Sequence, residues 1–526
     1  MYLRKSQPLL NGMLLAAAAI LAGYVAIWIW LNIRADYPLE FRENVALLTS
    51  DLQVRGGNPY AVENRPAYLN LYGIGYYWAT YPFTRLCGNS YLVLRLVSVL
   101  FVAGTCALLF WGMWGDGIGF AFSMTAALVL FNQLGQGLSI VARPDSVGAF
   151  LLLASLVIPY RWGFKTRSLV LCGVCSLLGF LTKSYFVLGL PVVCAYLFLF
   201  ESRRKAIVLA AAGAIAAIVT VFVIDQIYEC YFIDTFWVMS DAIERDWRHL
   251  RNVAGVFVRD NVGFVLLLGA GIGLQTARWF RSRGQGMTAS ASIDVGKAEQ
   301  PLLRIKLAFP VFALICSSLV VVLALGLHPG NDVLYYHQLI TPFLFWVAFR
   351  TLQWRADQNV IFGTAATLLL LANIVYQGSN AAPLPRDESK AWHELDTMIA
   401  SHSQVFTSPH LSHLLWRHGR RVYDAGHTDY IAGVLALAGT TGPVGDEYVA
   451  RCHALLGEIQ DKIRSEEFDL ILICRGWSPL IPADDLKEHY TSKGIIPAPM
   501  TFGYWMALFP LEIWVPAGKL RDGAIR

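Results

Sequence analysis

The chain has 526 residues, of which 56% are hydrophobic and 15% are charged, and its formal net charge is +5. A soluble globular protein carries about 25% charged residues, so this composition excludes that class and predicts a membrane-embedded chain. The small positive charge lies mainly in loops on one predicted side of the membrane, so it indicates topology and not nucleic-acid binding.

A membrane-spanning helix needs about 20 apolar residues, and the chain has eleven candidate segments. They lie at 11–33, 92–114, 117–134, 144–161, 167–184, 185–201, 205–225, 259–278, 305–326, 335–351 and 359–378. Basic clusters occur at 4–5, 161–167, 203–205, 278–283 and 350–355. With eleven spans, all of these clusters fall on one side, which the positive-inside rule makes cytoplasmic. We therefore predict a multi-pass protein of the cytoplasmic (inner) membrane with a cytoplasmic N-terminus.

The first outer loop in this topology, residues 34–91, begins with a charged segment at 34–43. This segment holds the carboxylates of Asp36, Glu40 and Glu43, and such groups are costly at membrane depth unless they have a function. The apolar residues that follow recur at helical spacing, which predicts an amphipathic helix over 39–55 lying on the membrane surface. Glu43 lies off the apolar stripe of this helix, and Asp36 marks its predicted start.

The C-terminal part, 385–526, is richer in charge and has shorter apolar runs than the membrane domain predicted over 1–384. Helical patterns at 391–401 and 448–464 alternate with strand-like runs at 421–423 and 468–473. The predicted fold is thus an all-α polytopic membrane domain followed by a small extracytoplasmic α/β domain.

Basic or potentially basic side chains also occur at the predicted outer ends of spans, where the positive-inside rule disfavours them. They are Arg95, Arg143, Lys183 and His337. A bound anion explains such a distribution. Blander alternatives remain open, because Arg95 and Lys183 could snorkel to the interface and Arg143 could form a structural pair with Asp145. His337 could be a packing residue, Asp36 an N-cap and Glu43 a solvated side chain.

Sugar transfer from a polyprenyl-phosphate donor needs both a carboxylate and cationic side chains. A carboxylate takes the proton of the acceptor hydroxyl as that oxygen attacks the anomeric carbon. Cations stabilise the charge that grows on the phosphate leaving group, and arginine can hold phosphate oxygens in a bidentate way. The lipid tail of the donor requires both groups to lie at membrane depth.

The layout and several short motifs resemble the GT-C superfamily of integral-membrane glycosyltransferases, in particular bacterial relatives of the dolichyl-phosphate-mannose protein mannosyltransferases. The motifs are Glu40-Phe41-Arg42-Glu43, Asn58-Pro59-Tyr60, Tyr72-Gly73, Arg143-Pro144-Asp145, Thr182-Lys183 and Tyr335-Tyr336-His337-Gln338-Leu339. The resemblance covers most of the membrane part. It implies a hexosyl- or pentosyltransferase that uses a polyprenyl-phosphate sugar and acts on a glycan, lipid or protein of the cell envelope.

The resemblance also implies an inverting mechanism with a first-loop carboxylate as base. Glu43 is our first choice, with Glu40 second and Asp36 as a further candidate. Arg143, Lys183, Arg95 and His337 are the predicted ligands of the donor phosphate, and Asp145, Tyr60, Tyr72, Tyr335 and Gln338 are predicted to bind substrate. Some relatives need a divalent metal, but metal-ligand spacing is missing here, so no obligatory metal is predicted.

Two other functions compete with this one. A flippase or transporter of lipid-linked glycans is expected to show internal repeats and charges near mid-membrane, and the sequence shows neither. A ligase or polymerase of lipid-linked oligosaccharides shares the lipid phosphate, but the long first loop disfavours it.

Overall fold

The computed structural model describes residues 2–64, 67–68, 70–136, 139–229, 231, 234–235, 246–273, 308–325, 327, 333–381, 388–426, 446–474, 481, 483–496 and 510–517. Helices form the described chain up to residue 400, and the strands lie beyond it. The predicted spans at 259–278 and 305–326 lie partly outside the described residues.

The helices of the first half alternate with short connections. They are α1 (Tyr2–Ile33), α2 (Glu43–Val54), α3 (Gly75–Cys87), α4 (Tyr91–Gly115), α5 (Phe120–Gly135), α6 (Asp145–Arg161), α7 (Thr166–Phe180), α8 (Gly189–Tyr196) and α9 (Arg203–Ile227). A 3-10 helix, Ser184–Leu188, precedes α8, and a π-helix, Leu197–Glu201, follows it. Ser90 and Ser202 fix where α4 and α9 begin, because their hydroxyls accept hydrogen bonds from backbone N–H groups of the first turn.

The helices of the next part include a sharply bent pair. They are α10 (Trp247–Asp260), α11 (Val262–Gly273), α12 (Phe309–Val320), α13 (Leu334–Leu339), α14 (Thr341–Gln358) and α15 (Val360–Ser379). A π-helix, Val321–Leu325, continues α12, and the axes of α10 and α11 differ by 87°. Asn359 caps α15 by accepting hydrogen bonds from two backbone N–H groups.

Five helical segments among the described residues are long and apolar enough to cross a membrane. They are Pro8–Ile33, Tyr91–Gly115, Ser184–Glu201, Arg203–Ile227 and Val360–Ser379, and the bent pair α10–α11 makes a sixth if it counts as one span. The prediction of several apolar membrane helices is confirmed. Each of the eleven predicted spans overlaps a helix, but several of these helices are short, so the count of eleven stays a prediction.

The packing of α4 brings three separate segments together. This helix lies against α5 and α6, and α1 packs against α5 and α15. Arg95, in the first turns of α4, contacts the backbone at Ala35 in the loop after α1. The segment that precedes α6 lies beside the same loop, since Ala142 donates a hydrogen bond to Glu43. The beginnings of α2, α4 and α6 are therefore neighbours.

The first loop differs from its prediction. The helix expected over 39–55 begins only at Glu43, and all residues from 43 to 50 are buried. Val45 packs against the C-terminal region, whereas Leu47 packs among the aromatic side chains around α3. The predicted surface helix is wrong, because α2 is covered by protein on two sides and the apolar spacing revealed only one of them.

The C-terminal region contains a four-stranded sheet with the order β1-β2-β4-β3. Its strands are β1 (Val405–Thr407), β2 (Leu470–Cys474), β3 (Tyr490–Ile496) and β4 (Leu511–Pro516), and its helices are α16 (Ser389–Ala400), α17 (Ser412–Arg417), α18 (Asp446–Arg464) and α19 (Ala483–His489). The fully buried β2 corresponds to the strand predicted at 468–473. The strand predicted at 421–423 is wrong, since these residues are not in the sheet.

The C-terminal region docks on the first loop and α2. The contacts are a stack of the Tyr37 and Trp392 rings at 5.4 Å, and hydrogen bonds from Asn44 Nδ2 to the Pro409 carbonyl (2.8 Å), from Trp416 Nε1 to Asp51 Oδ2 (3.0 Å) and from Arg417 Nη2 to the Asp36 carbonyl (3.3 Å). The region is thus attached to the segment that carries the predicted base. Its extracytoplasmic position and its boundary at residue 385 stay predictions.

Candidate active site

Glu40 is a fully buried carboxylate in the loop before α2, with 1% of its surface exposed. Its Oε2 accepts a hydrogen bond from the Arg42 backbone N–H (3.1 Å), and Arg42 Nε lies 3.7 Å from Oε1. Oε1 accepts no hydrogen bond within the described part of the chain. Burial raises the pKa of Glu40 above its ordinary value, and the charges of Arg143 and Arg42 oppose that rise. Glu40 Oε1 is therefore a buried acceptor atom without a donor among the described residues.

Arg143, Asp145 and Lys183 form a second buried group at the beginning of α6. Asp145 holds both cations: Arg143 Nε lies 3.1 Å from Oδ2, and Lys183 Nζ lies 2.7 Å from Oδ1. Arg143 Nη1 is buried and donates no hydrogen bond among the described residues. The structural pair considered for Arg143 and Asp145 thus exists, and it leaves Nη1 of the guanidinium unused.

Aromatic rings surround Lys183. Its Nζ donates a hydrogen bond to the Tyr335 hydroxyl (3.1 Å) and lies 4.9 Å from the ring centre of Tyr72. Tyr185 approaches Asp145 Oδ1 at 3.5 Å. Gln338, one turn after Tyr335 on α13, donates to the Asp145 carbonyl oxygen at 3.3 Å. The structure therefore brings Tyr72, Tyr335 and Gln338 to the cations, and their role in binding substrate stays a prediction.

Two motifs meet through their backbones. The N–H of Gly73 donates to the Thr182 carbonyl (3.2 Å), and the N–H of Gly75 donates to the Leu181 carbonyl (2.7 Å). A Cβ atom at position 73 would lie only 2.0 Å from the Leu181 oxygen, so only glycine permits this approach. The contact places Tyr72 beside Lys183.

Glu43 and Arg95 form a separate buried pair. Arg95 Nε donates to Glu43 Oε1 (2.8 Å) and Nη2 donates to Oε2 (2.7 Å), with both side chains fully buried. Three backbone N–H groups also donate to the same carboxylate. Both oxygens of Glu43 are thus occupied by protein donors, unlike those of Glu40.

The other predicted site residues lie elsewhere. Asp36 is exposed, and its carbonyl oxygen faces the C-terminal region, while the start of α2 lies seven residues further on. Tyr60 is fully buried and donates from its hydroxyl to the Tyr72 carbonyl, so it supports Tyr72 from behind. His337 contacts Thr341 and the ring of Phe257. It does not share the face of α13 that carries Tyr335 and Gln338, because that face repeats every three to four residues.

Arg42 and Tyr185 belong to this site, although the predicted set omits both. Arg42 follows Glu40 by two residues, and its Nε lies 3.7 Å from Glu40 Oε1. Tyr185 follows Lys183 by two residues, and its ring approaches the Tyr335 ring edge-on at 5.3 Å. Each of them lies within two residues of a predicted site residue, and this proximity is the feature of the sequence by which it could have been found.

The site carries a small excess of positive charge. Arg42, Arg143 and Lys183 face Glu40 and Asp145, which gives three cations and two anions. Such a site suits an anionic ligand with several oxygens, such as a phosphate. Within the described ranges, no group of three or more His, Cys, Asp or Glu side chains could hold a metal ion. Independence from metal stays a prediction.

Comparison with solved structures identifies the fold. ArnT from Cupriavidus metallidurans in the apo state matches with a TM-score of 0.54 at 11% identity, over 94% of this chain and 97% of that chain. Its structure bound to undecaprenyl phosphate gives 0.52 at 10% identity with the same coverage. The archaeal oligosaccharyltransferase AglB from Archaeoglobus fulgidus, in complex with an inhibitory peptide and a dolichol-phosphate, gives 0.48 at 12% identity over 93% of this chain and 74% of that chain. No protein-family model and no curated protein matches the sequence.

The chain therefore has the fold of ArnT, and its helices include several that are long and apolar enough to cross a membrane. The similarity to ArnT extends over nearly the whole length of both proteins. The resemblance predicted from the sequence is confirmed at the level of the fold.

Proposed function

We propose that this protein is a membrane glycosyltransferase that moves one sugar from a polyprenyl-phosphate donor to a hydroxyl of a cell-envelope glycan, lipid or protein. One observation carries the proposal. A buried carboxylate, Glu40, and a buried guanidinium, Arg143, act on each other electrostatically, and each has a polar atom without a hydrogen-bond partner in the described structure. One can accept a proton and the other can bind an anion.

The reaction follows from these two groups. The acceptor oxygen attacks the anomeric carbon of the donor sugar while Glu40 Oε1 takes the hydroxyl proton. The new carbon–oxygen bond forms as the bond to the phosphate oxygen breaks, and the electron pair leaves with the polyprenyl phosphate. Attack opposite to the leaving group inverts the anomeric configuration. Glu40 suits the role of base better than Glu43, because both Glu43 oxygens already accept hydrogen bonds from Arg95.

The phosphate leaving group is the natural ligand of the cations. Arg143 Nη1 can donate to a phosphate oxygen, and Lys183 adds a point charge beside it. Asp145 neutralises only one of these two cations. The undecaprenyl phosphate in the ArnT structure supports a donor of the same lipid class. The reaction is proposed to occur on the outer face of the cytoplasmic membrane.

The first test removes the base. Glu40→Gln keeps the size of the side chain but cannot accept the proton, so we expect transfer to fall by about 100-fold or more. The measurement is mass spectrometry of cell-envelope glycans from a deletion strain that carries each variant. Wild-type protein should restore the missing sugar, and Glu40→Gln should not.

The matched control for this test is Glu394→Gln, the same change at a carboxylate with 67% of its side chain exposed. It should restore the sugar fully. An unchanged envelope in the deletion strain contradicts the proposed function. If Glu40→Gln restores the sugar while Glu43→Gln or Asp36→Asn does not, the assignment of the base is wrong although the function stands.

The second test concerns the donor phosphate. Lys183→Met removes a charge-assisted contact worth about 1.5–3 kcal/mol, so we expect the KM for the donor to rise roughly 10- to 100-fold. The KM for the acceptor should change little. Lys390→Met, at a side chain that is 90% exposed, is the control. Steady-state kinetics with each substrate varied in turn measures both constants, and equal effects on both would count against a phosphate site at Lys183.

A further inference from the structure

Glu43 connects two segments that are far apart in the sequence. Its Oε2 accepts hydrogen bonds from the backbone N–H groups of Leu39 (2.6 Å) and Glu40 (3.4 Å). Its Oε1 accepts one from the N–H of Ala142 (2.7 Å), the residue immediately before Arg143. The same carboxylate therefore holds the main chain at Glu40 and the main chain next to Arg143.

Arg95 completes this link from α4. Besides its two hydrogen bonds to Glu43, it donates from Nη1 to the Ala35 carbonyl (2.6 Å) and from Nη2 to the Tyr37 carbonyl (2.7 Å). Its side chain is fully buried. The guanidinium thus fixes the loop before Glu40, and its planar fork allows several fixed contacts at once, which an ammonium group cannot provide.

We propose that Glu43 and Arg95 act as one positioning pair that sets the distance between the base Glu40 and the phosphate ligand Arg143. This inference rests on the proposed function and extends it to two residues that touch no substrate. A carboxylate with five protein donors is poorly placed to take a proton from a ligand, because both of its oxygens are already used within the protein. It is well placed to fix the positions of the two main-chain segments that it contacts, since the contacts of a buried pair are rigid.

The test is a double-mutant cycle with Glu43→Gln, Arg95→Gln and both changes together. We expect each single variant to lower kcat about 100-fold, as a misplacement of about 1 Å does, with little change in either KM. The double variant should be no slower than the slower single variant, because one pair is lost in all three. In Arg95→Gln the acidic limb of the pH–rate profile should stay at the pH set by Glu40. In Glu43→Gln it should move to lower pH, because the negative charge of Glu43 contributes to the raised pKa of Glu40.

The exposed pair Arg421–Glu458 is the matched control, since it is also bidentate, through Nη1 and Nη2 at 2.6 and 2.7 Å, but lies on the surface of the C-terminal region. Arg421→Gln and Glu458→Gln should leave kcat unchanged. Where a Gln variant of the buried pair fails to accumulate in membranes, Glu43→Asp and Arg95→Lys replace it, because both keep the charges and alter only the geometry.

Hydrogen–deuterium exchange gives a readout that does not depend on activity. In Glu43→Gln, the amides at 39–40 and at 142 should lose protection together. Protection lost in only one segment overturns the link. If the Glu43→Gln variant is inactive while the Arg95→Gln variant has nearly the wild-type rate, Glu43 is the base. If both variants have the wild-type rate, the pair has no positioning role. These outcomes differ from failure of the proposed function, which an unchanged cell envelope in the deletion strain would reveal.

Discussion

At the scale of single residues, the electrostatics of Glu40 predict a pH dependence. Burial raises the pKa of Glu40 above the ordinary value of 4.5, and Arg143 is the charge that opposes this rise most. A base works when deprotonated, so kcat should fall as the pH drops through that raised pKa. Removing the Arg143 charge raises the pKa further. Arg143→Gln should therefore move the acidic limb of the kcat profile toward neutral pH.

The pH profile is measured at saturating donor, so that weaker phosphate binding does not enter it. Arg203→Gln, at an exposed arginine at the beginning of α9, is the control and should leave the limb in place. A limb that moves to lower pH in Arg143→Gln contradicts the assignment of Glu40, because loss of a nearby cation cannot stabilise a carboxylate.

The sequence singled out most of the residues that meet at the site but ranked its carboxylates differently from the contacts. The grouping of Arg143, Asp145 and Lys183 was predictable because charge at the outer end of an apolar span is costly and therefore informative. The difference between Glu40 and Glu43 was not predictable in the same way. It depends on the partners Arg95 and Ala142, which lie 52 and 99 residues away from Glu43 in the sequence.

At the scale of elements, the docking of α16 on the first loop gives the next prediction. Trp392 on α16 is 4% exposed and stacks on Tyr37, which lies three residues before Glu40 in the same loop. Trp392→Ala removes the stack and leaves a cavity, which costs about 3–5 kcal/mol. We expect the C-terminal region to undock, the protein to melt at lower temperature and kcat to fall, because the loop that carries Glu40 loses its support.

Limited proteolysis and thermal unfolding in detergent measure this effect. Trp247→Ala, at a tryptophan with 66% of its surface exposed, is the control and should behave like the wild type. If Trp392→Ala protein is cleaved no faster than the control and keeps its kcat, the C-terminal region does not support the loop.

The elements were predictable to different degrees. Long apolar runs such as α4 and α9 appear in the sequence because a membrane helix must be apolar along its whole length. The position of α2 was not predictable, because a stripe of apolar residues looks the same whether it faces lipid or another part of the protein. Its second buried face, at Leu47, becomes visible only when α3 and the aromatic side chains around it are in place.

At the scale of the whole molecule, the arrangement of basic loops, the apolar helices and the likeness in fold to ArnT agree on a multi-pass membrane protein. The number of spans is harder to obtain from helix length. Helices α5 and α7 are apolar but have only 16 and 15 residues, fewer than the about 20 that a membrane span needs. Inside a bundle, the backbone beyond the end of a short helix can be satisfied by neighbouring protein, so helix length alone does not determine the number of spans.

The predicted orientation can be tested with single cysteines. Cys87, at the end of α3, is exposed and lies in the predicted outer loop, so a membrane-impermeant maleimide should label it in spheroplasts. In a Cys87→Ser parent, Lys390→Cys should also be labelled in spheroplasts, because the C-terminal region is predicted to lie outside. Arg203→Cys belongs to a predicted cytoplasmic cluster and should react only in inverted membrane vesicles.

The parent Cys87→Ser protein supplies the background from the other cysteines, and labelling is read as the difference from it. The eleven-span topology requires positions 203 and 390 to lie on opposite sides, because an odd number of spans separates them: those beginning near 205, 259, 305, 335 and 359. Labelling of both positions from the same side would make that number even. The predicted topology would then be wrong by one span. The bent pair α10–α11, whose helix axes differ by 87°, is the element most able to account for this difference. A re-entrant pair enters and leaves the membrane on the same side, so it does not count as a span.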